Sequence, residues 1–261
     1  AITFTSTAAD TNTTTINVTG ANGYRLLTDS VTLNNLVTRT AGQTTVTALN
    51  PTTANMTVGT ITMATGNTGI ANDGVPVLRL DGTSSDNIVT GSISNASDFA
   101  TGQALSLQKQ NSSTWTLRGT SSYTGTTTVT AGKLLLSSTG SIASGSAVTV
   151  SGGALGGTGT VGGSVSLTTA GGIDLRDGAV GTLTLNTGLA LTGAAGANNL
   201  GFDLGTLANG TDKIAVFGNV TVTTPGAAVI TLNQLSGTKI NAGTYDLITA
   251  TGTMDALTDF T

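Results

Sequence analysis

The chain contains no cysteine, no histidine and no glutamate. Each absence excludes some chemistry. Without Cys there is neither a disulfide nor a thiolate nucleophile, and without His there is no Ser–His–Asp triad. Without both, no ordinary zinc, haem or iron–sulfur site can be assembled. Charge and aromatics are also scarce: charged residues make up 8% of the 261 positions, aromatics 3%, and there are three Pro. All thirteen acidic residues are Asp, and nine Lys and Arg are scattered singly, for a net charge of −4. Nucleic acid, which requires a clustered basic surface, is therefore not expected as a partner. No apolar run reaches the roughly 18 residues of a membrane-crossing helix, so no membrane span is expected. No charged segment followed by an apolar one opens the chain. Ala1 is compatible with a mature N terminus left by signal cleavage. The lack of Cys leaves the redox compartment open.

What the chain does contain is 37 Gly, 56 Thr, 21 Ser and 19 Asn. These residues favour strands, turns and caps over helix interiors. Hydrophobic residues are 38% and the mean hydropathy is +0.21. Disorder needs the reverse, low hydrophobicity with high charge. The length fits one large all-β domain or two smaller ones.

Short alternating segments recur throughout: Ile16-Asn17-Val18-Thr19, Val58-Gly59-Thr60-Ile61, Val148-Thr149-Val150, Leu183-Thr184-Leu185 and Val220-Thr221-Val222 are examples. Apolar residues at every second position, with Thr or Ser between, give one buried face and one hydroxyl face. Gly, Asn-Gly and Asp-Gly punctuate them at Asn22-Gly23, Asp73-Gly74, Asp81-Gly82, Asp177-Gly178 and Asn209-Gly210, where positive φ is accepted. Spacing alone permits a sandwich, a barrel or a solenoid. Two features favour the solenoid. With so few aromatics a wide sandwich core would be hard to fill, whereas a narrow β-helix needs only stacked Leu, Val and Ile. Gly-Gly pairs at 152–153, 156–157, 162–163 and 171–172 suit tight corners between short strands. Residues 1–110 hold most of the irregular features, among them Pro51, Met56, Met63 and Pro76. They read as an irregular N-terminal β region or solenoid cap, and residues 111–261 as the β-helical repeat domain.

The most informative segment contains Trp115, Leu117, Gly119, Tyr123, Gly125, Val129, Gly132, Leu134 and Leu136. It resembles the autotransporter-associated β-strand repeat, also called the passenger-associated transport repeat. That motif reads roughly as Leu-x-Leu, Gly-x-Asn-Thr-Tyr-x-Gly, then Thr-x-Val/Ile-x-x-Gly-x-Leu. Ser121 and Ser122 stand where the family usually has Asn-Thr, and the resemblance extends through a Gly-rich tail to about residue 255. The family often has a Pro-Gly loop before the strand at 181; this chain has Asp174-Leu175-Arg176-Asp177-Gly178 instead. The resemblance implies a right-handed parallel β-helix in a secreted or surface-displayed bacterial protein. In it Trp115 and Tyr123 would stack at rung edges, Gly119, Gly125 and Gly132 would sit at corners, and Leu134 and Leu136 would fill the core. The motif carries no catalytic residue.

Candidate chemistry is sparse. Asp174 and Asp177 flank Leu175-Arg176 in a Gly-rich loop, and Asp81 to Asn87 form a second Asp-containing loop. Either could be read as a Ca²⁺ ligand set, but both lack the usual number of oxygen ligands, and solvated turns are the expectation. Asp203 and the Asp212-Lys213 pair are the other acidic groups near basic ones in the second half, with no set of three carboxylates marked on one strand face. No enzyme activity, cofactor or metal is expected, and chelators and reductants should leave the fold unchanged. Seven Asn-x-Ser/Thr sequons, at Asn12, Asn17, Asn55, Asn95, Asn111, Asn209 and Asn219, are about what chance yields in so Thr-rich a chain. Thr-rich outer faces could carry glycans, or bind ice or polysaccharide; ordinary solvated strand faces are the simpler reading. The N-terminal segments holding Ile2, Phe4, Ile16 and Val18 are candidate assembly strands. A solenoid has two open ends, and strand addition between copies would make an open, head-to-tail fibre. The expected role is structural: a secreted, self-assembling cell-surface or matrix protein whose partner is itself, with extracellular polysaccharide as a second candidate partner. A passenger-type adhesin binding glycans and a polysaccharide-degrading β-helix enzyme are the alternatives. Exposed Tyr or Trp on one face would favour the adhesin. A cleft with three or more Asp beside Arg or Lys would favour the enzyme.

Overall fold

The computed structural model describes residues 3–5, 13–18, 24–35, 45–52, 55–65, 76–95, 104–206, 210–235, 240 and 242–255. Among them every element is a strand, and the strands form three sheets of eleven, nine and five members. The pairings are parallel throughout each sheet. The chain visits the sheets in a fixed cycle. Thr127–Val129 lies in the nine-stranded sheet (B), Lys133–Leu136 in the eleven-stranded sheet (A), Ser141–Ile142 in the five-stranded sheet (C), and Val148–Val150 is back in sheet B. Successive turns thus stack strand on strand, roughly 4.8 Å apart, as a parallel β-helix.

The alternating pattern dictates what fills the centre. In sheet A, Trp115, Leu134, Leu155, Ile173 and Leu200 are register partners in one buried row. In sheet B, Val129, Val150, Leu167 and Leu191 form another, and in sheet C Ile142, Val161, Leu185 and Val216 a third. Each row is one residue wide, so small aliphatic side chains suffice and the shortage of aromatics carries no penalty. The outward positions of sheet B carry Thr128, Thr149, Ser166, Ala190 and Thr221.

Turn length varies along the axis. Trp115 pairs with Leu134, Leu134 with Leu155 and Leu155 with Ile173, giving turns of 19, 21 and 18 residues. Beyond that point Ile173 pairs with Leu200 and Leu200 with Ile230, turns of 27 and 30. Near the start Phe4 pairs with Leu33 and Ile16 with Leu49, turns of 29 and 33. Sheets A and B run through residue 110 without a break.

Sheet C arises by a split. The long strand Met56–Thr65 pairs with Asn87–Val89 through Thr57 and Val58, and with Ile93–Asn95 through Ile61 to Met63. The chain bends between the two at Gly91. Ser122 N–H then donates to Ile93 O at 2.9 Å and Thr120 bridges to Ser141, which carries the second branch into sheet C. The corner so created is made of stacked glycines. A Cβ on Gly119 would lie 2.3 Å from the backbone of Gly91, and one on Gly140 2.1 Å from Leu117 O. No side chain fits between turns there.

Two expectations are corrected. Trp115 and Tyr123 do not stack at rung edges; both are fully buried. Their polar atoms find partners inside, which removes the usual objection to burying them. Trp115 Nε1–H donates to Asp81 O at 2.9 Å, and the Tyr123 hydroxyl bonds Thr127 Oγ1 at 2.7 Å. The Gly-Gly pairs are not all corners either. Gly156 and Gly157 close the strand Ala154–Gly157, and Gly172 opens Gly172–Asp174, because the adjacent turn's carbonyl passes too close for a Cβ.

Candidate functional site

The motif residues form a structural unit. Leu117, Val129, Leu134 and Leu136 are buried in the core, while Gly119, Gly125 and Gly132 lie between strands. Gly132 has φ +65°, and a Cβ there would meet Ser113 O at 2.3 Å, so glycine is required on both counts. Around these positions runs a buried polar chain that the motif alone does not reveal. Thr127 Oγ1, in a core row, bonds both Tyr123 Oη and Ser146 Oγ, the latter at 2.8 Å. Burial pushes the Tyr123 phenol well above its ordinary pKa, with the Thr127 and Ser146 hydrogen bonds opposing, so it stays neutral.

Lys109 is the least expected core member. It falls at an inward position of Leu105-Ser106-Leu107-Gln108-Lys109, between Leu80 and Val129 in the sheet B row. Its ammonium donates to Gln110 O, Asn111 O and Ala131 O at 2.6, 2.8 and 3.2 Å. All three protons are thus used on backbone carbonyls of two successive turns. Burial lowers its pKa to about 8, with the negative charge of Asp81 working the other way. The signal was present in the alternation, which places position 109 inside.

The Asp-containing loops are stapled rather than open. In the Asp81 loop, the Asp81 carboxylate accepts from Gly82 N–H at 2.9 Å and from the Asn111 side-chain amide. Asn87 is buried, accepting from Met56 N–H and Ser84 Oγ and donating to Ser84 O and Thr114 O. In the second half the structure gathers Asp174, Arg176, Asp177, Asp203 and Asp212 where sheet A turns toward sheet C. Asp174 accepts from Lys133 Nζ and Arg176 Nε, each at 2.7 Å. Burial works to raise its pKa, but the Arg176 and Lys133 hydrogen bonds prevail and hold the carboxyl below its ordinary range. The same hydrogen bond raises Arg176 above its own.

Asp203 and Asp212 are buried. Asp203 Oδ2 accepts from Gly178 N–H at 2.7 Å, and Oδ1 from the Asn233 amide. Asp212 Oδ1 accepts from Gly181 N–H at 2.8 Å, and Oδ2 from Asp203 N–H at 2.6 Å. Burial pushes Asp212 up to about 6; its two backbone hydrogen bonds oppose, and the charges of Asp203 and Asp177 add to the rise. These carboxylates tie loop to loop across turns. Each oxygen of Asp203 and Asp212 accepts from a neighbouring peptide N–H or from the Asn233 amide, an arrangement that fastens backbone to backbone. Among the described residues, no three carboxylates converge as ion ligands.

Of the candidate assembly residues, Ile2 lies outside the described residues. Phe4, in Thr3–Thr5, pairs with Leu33; Ile16 and Val18, in Thr13–Val18, pair with Leu49 and Pro51. Those two strands are the first members of sheets A and B. At the other end Ala228–Gln234, Val220–Val222 and Ile248–Ala250 close the sheet orders. There, among the described residues, the core rows have no further strand over them. Leu232 continues the row of buried Phe202 yet is 51% exposed, and Met254, bridged to Val220, is 38% exposed.

Residues 107–136 match the family model of the passenger-associated-transport-repeat. The match takes in every motif position named above, from Trp115 to Leu136. No curated protein matches the chain.

Proposed function

We propose that this chain, a parallel β-helix carrying a passenger-associated transport repeat, is a secreted structural protein of the bacterial surface or extracellular matrix that associates with copies of itself end to end. The coarser part of this reading follows the repeat, which belongs to passenger-type, surface-exposed proteins. The observation that supports end-to-end association is the uncovered apolar end of the stack. Ile230 and Leu232 stand on the last sheet A strand with core rows beneath them and, among the described residues, no strand beyond. The turns at both ends of the described stack are of similar length, 29 and 33 residues near the start, 30 and 31 near the finish, where Leu200 meets Ile230 and Leu191 meets Val222. A first turn of one copy, with parallel strands of the same polarity, therefore suits the last turn of another, and a contact of this head-to-tail kind propagates. No enzymatic role is invoked. The carboxylates that might have served one accept from peptide N–H groups, from the Asn233 amide and from Lys133 and Arg176.

Negative-stain electron microscopy over a concentration series tests the reading. Filaments are expected to lengthen with concentration and to be lost in Leu232→Asp, which places a charge in the end contact at a half-exposed position. Monodisperse rods at every concentration would overturn self-assembly.

A further inference from the structure

Sheet C offers a groove that the end-to-end reading does not use. Ala143, Gly162, Asn186, Phe217 and Thr251 form one row along its outer corner. The N–H groups of the last four donate to Ile142 O, Val161 O, Leu185 O and Val216 O at 2.8, 2.9, 2.7 and 3.0 Å, which fixes them one above another. Ala143 and Gly162 are the small members, and both line a cavity of about 470 Å³; a Cβ on Gly162 would meet Ser144 N at 2.5 Å. Ser122, Thr124, Ser144 and Asn186 also line it. Its lining contains no charged residue and offers hydroxyl groups and one amide. The next position in the row, one turn beyond Asn186, is Phe217. It is 57% exposed, the most exposed large hydrophobic side chain among the described residues of a chain with few aromatics.

A lone exposed apolar residue is unremarkable, but an exposed aromatic residue one ladder step beyond Asn186, which lines a hydroxyl-lined, uncharged groove, is a specific combination. The ring takes an apolar C–H face; the hydroxyls and the Asn186 amide exchange hydrogen bonds with a polyhydroxylated partner. An anionic ligand would find no cation in the lining. A peptide could not add as a strand, because the sheet C strands beneath the groove, Ser141–Ile142 and Thr160–Val161, are paired with neighbouring turns. We propose that the groove binds a neutral glycan running along the helix axis, one pyranose stacking on Phe217 and the chain continuing over Asn186 toward Gly162 and Ala143.

Titration of the full chain with neutral hexasaccharides (cellohexaose, chitohexaose, maltohexaose and mannohexaose), followed by calorimetry, tests this. At least one is expected to bind. Phe217→Ala should weaken it by about tenfold or more, as loss of an aromatic anchor does, and Ala143→Trp should abolish it by filling the cavity. Both substitutions are at partly exposed outward positions, so the melting temperature should hold; if Ala143→Trp does not fold, Phe217→Ala decides alone. Filament formation should be unchanged in Phe217→Ala, which keeps a failure of this site separate from a failure of assembly. Absence of binding by all four sugars at millimolar concentration, or equal affinity in wild type and Phe217→Ala, would overturn the proposal.

Discussion

The same corner, between sheets A and C, is built in two ways along this molecule. In the short turns the chain crosses from Leu117 to Thr120, from Leu136 to Ser141 and from Gly157 to Thr160, with stacked glycines at the bend. In the long turns it crosses from Asp174 to Thr182 and from Leu204 to Lys213, and buried Asp203 and Asp212 tie the inserted loops together. The difference teaches how a solenoid changes girth without losing register. A tight corner is solved by removing side chains, because the backbone of the neighbouring turn already occupies the space. A bulged corner opens that space, leaves peptide N–H groups without strand partners, and must satisfy them with side-chain acceptors.

The sharpest way to break the comparison is to place side chains at each corner. Gly119→Val drives a Cβ into the Gly91 backbone, which cannot move without shifting the turn below, and should cost more than about 3 kcal/mol or abolish folding. At the bulged corner Gly178 has open space around its Cβ position and a φ of +90°. Gly178→Ala should therefore cost only about 1 kcal/mol, from backbone strain alone. Denaturant melts of the two variants compare the corners directly. Similar losses would show that the glycine stack is not what closes the short turns.

Next in size is removal of a carboxylate staple. Asp203→Ala removes the buried carboxylate that accepts from Gly178 N–H and from the Asn233 amide; both donors belong to exposed residues, so the expected loss is about 1.5–3 kcal/mol, the worth of hydrogen bonds to a charged group. Amide exchange of Gly178 should accelerate specifically. A uniform loss of protection would mean that Asp203 supports the whole stack and not the loop.

A smaller effect is expected inside the repeat. Tyr123→Phe keeps the ring and removes the hydroxyl, while Thr127 and Ser146 remain bonded to one another. The expected cost is about 1 kcal/mol. A loss as large as that of Asp203→Ala would show that the short turns, too, depend on polar staples more than on glycine.

The alternation of Val, Leu and Ile with Thr makes the strands and their inward faces legible in the sequence, because period two is a local property; the parallel stack is legible only through the scarcity of aromatics and the repeat motif from Trp115 to Leu136. The hidden parts are those settled one turn away. Trp115 looked like an edge residue because its acceptor, Asp81 O, lies 34 positions back. In the sequence Asp203 and Asp212 stand only as acidic groups near basic ones, because Gly178 and Gly181, whose N–H groups they bind, are 25 and 31 positions distant. Gly156 and Gly157 looked like a corner, and the reason for their smallness is again a carbonyl of another turn. In the groove, Ala143, Gly162, Asn186 and Phe217 share no motif; only unequal turn lengths bring them into one row.

The finest test uses pH on the bulged corner alone. Asp212 has a folded pKa of about 6 against an ordinary 3.8. A carboxyl raised on folding favours the folded state fully below its unfolded pKa, and that contribution is lost as pH rises through the folded value. The melting temperature should therefore climb by a few degrees as pH falls from 7 to about 4. Asp174 works in the opposite sense. Its folded pKa is held below 3.8, so its stabilisation is intact through that window and fades only in stronger acid. Asp212→Asn should flatten the rise between pH 7 and 4 and leave the acid-side fall untouched. If the rise persists in Asp212→Asn, another buried group sets it, and the staple at the long-turn corner carries no proton-linked stability.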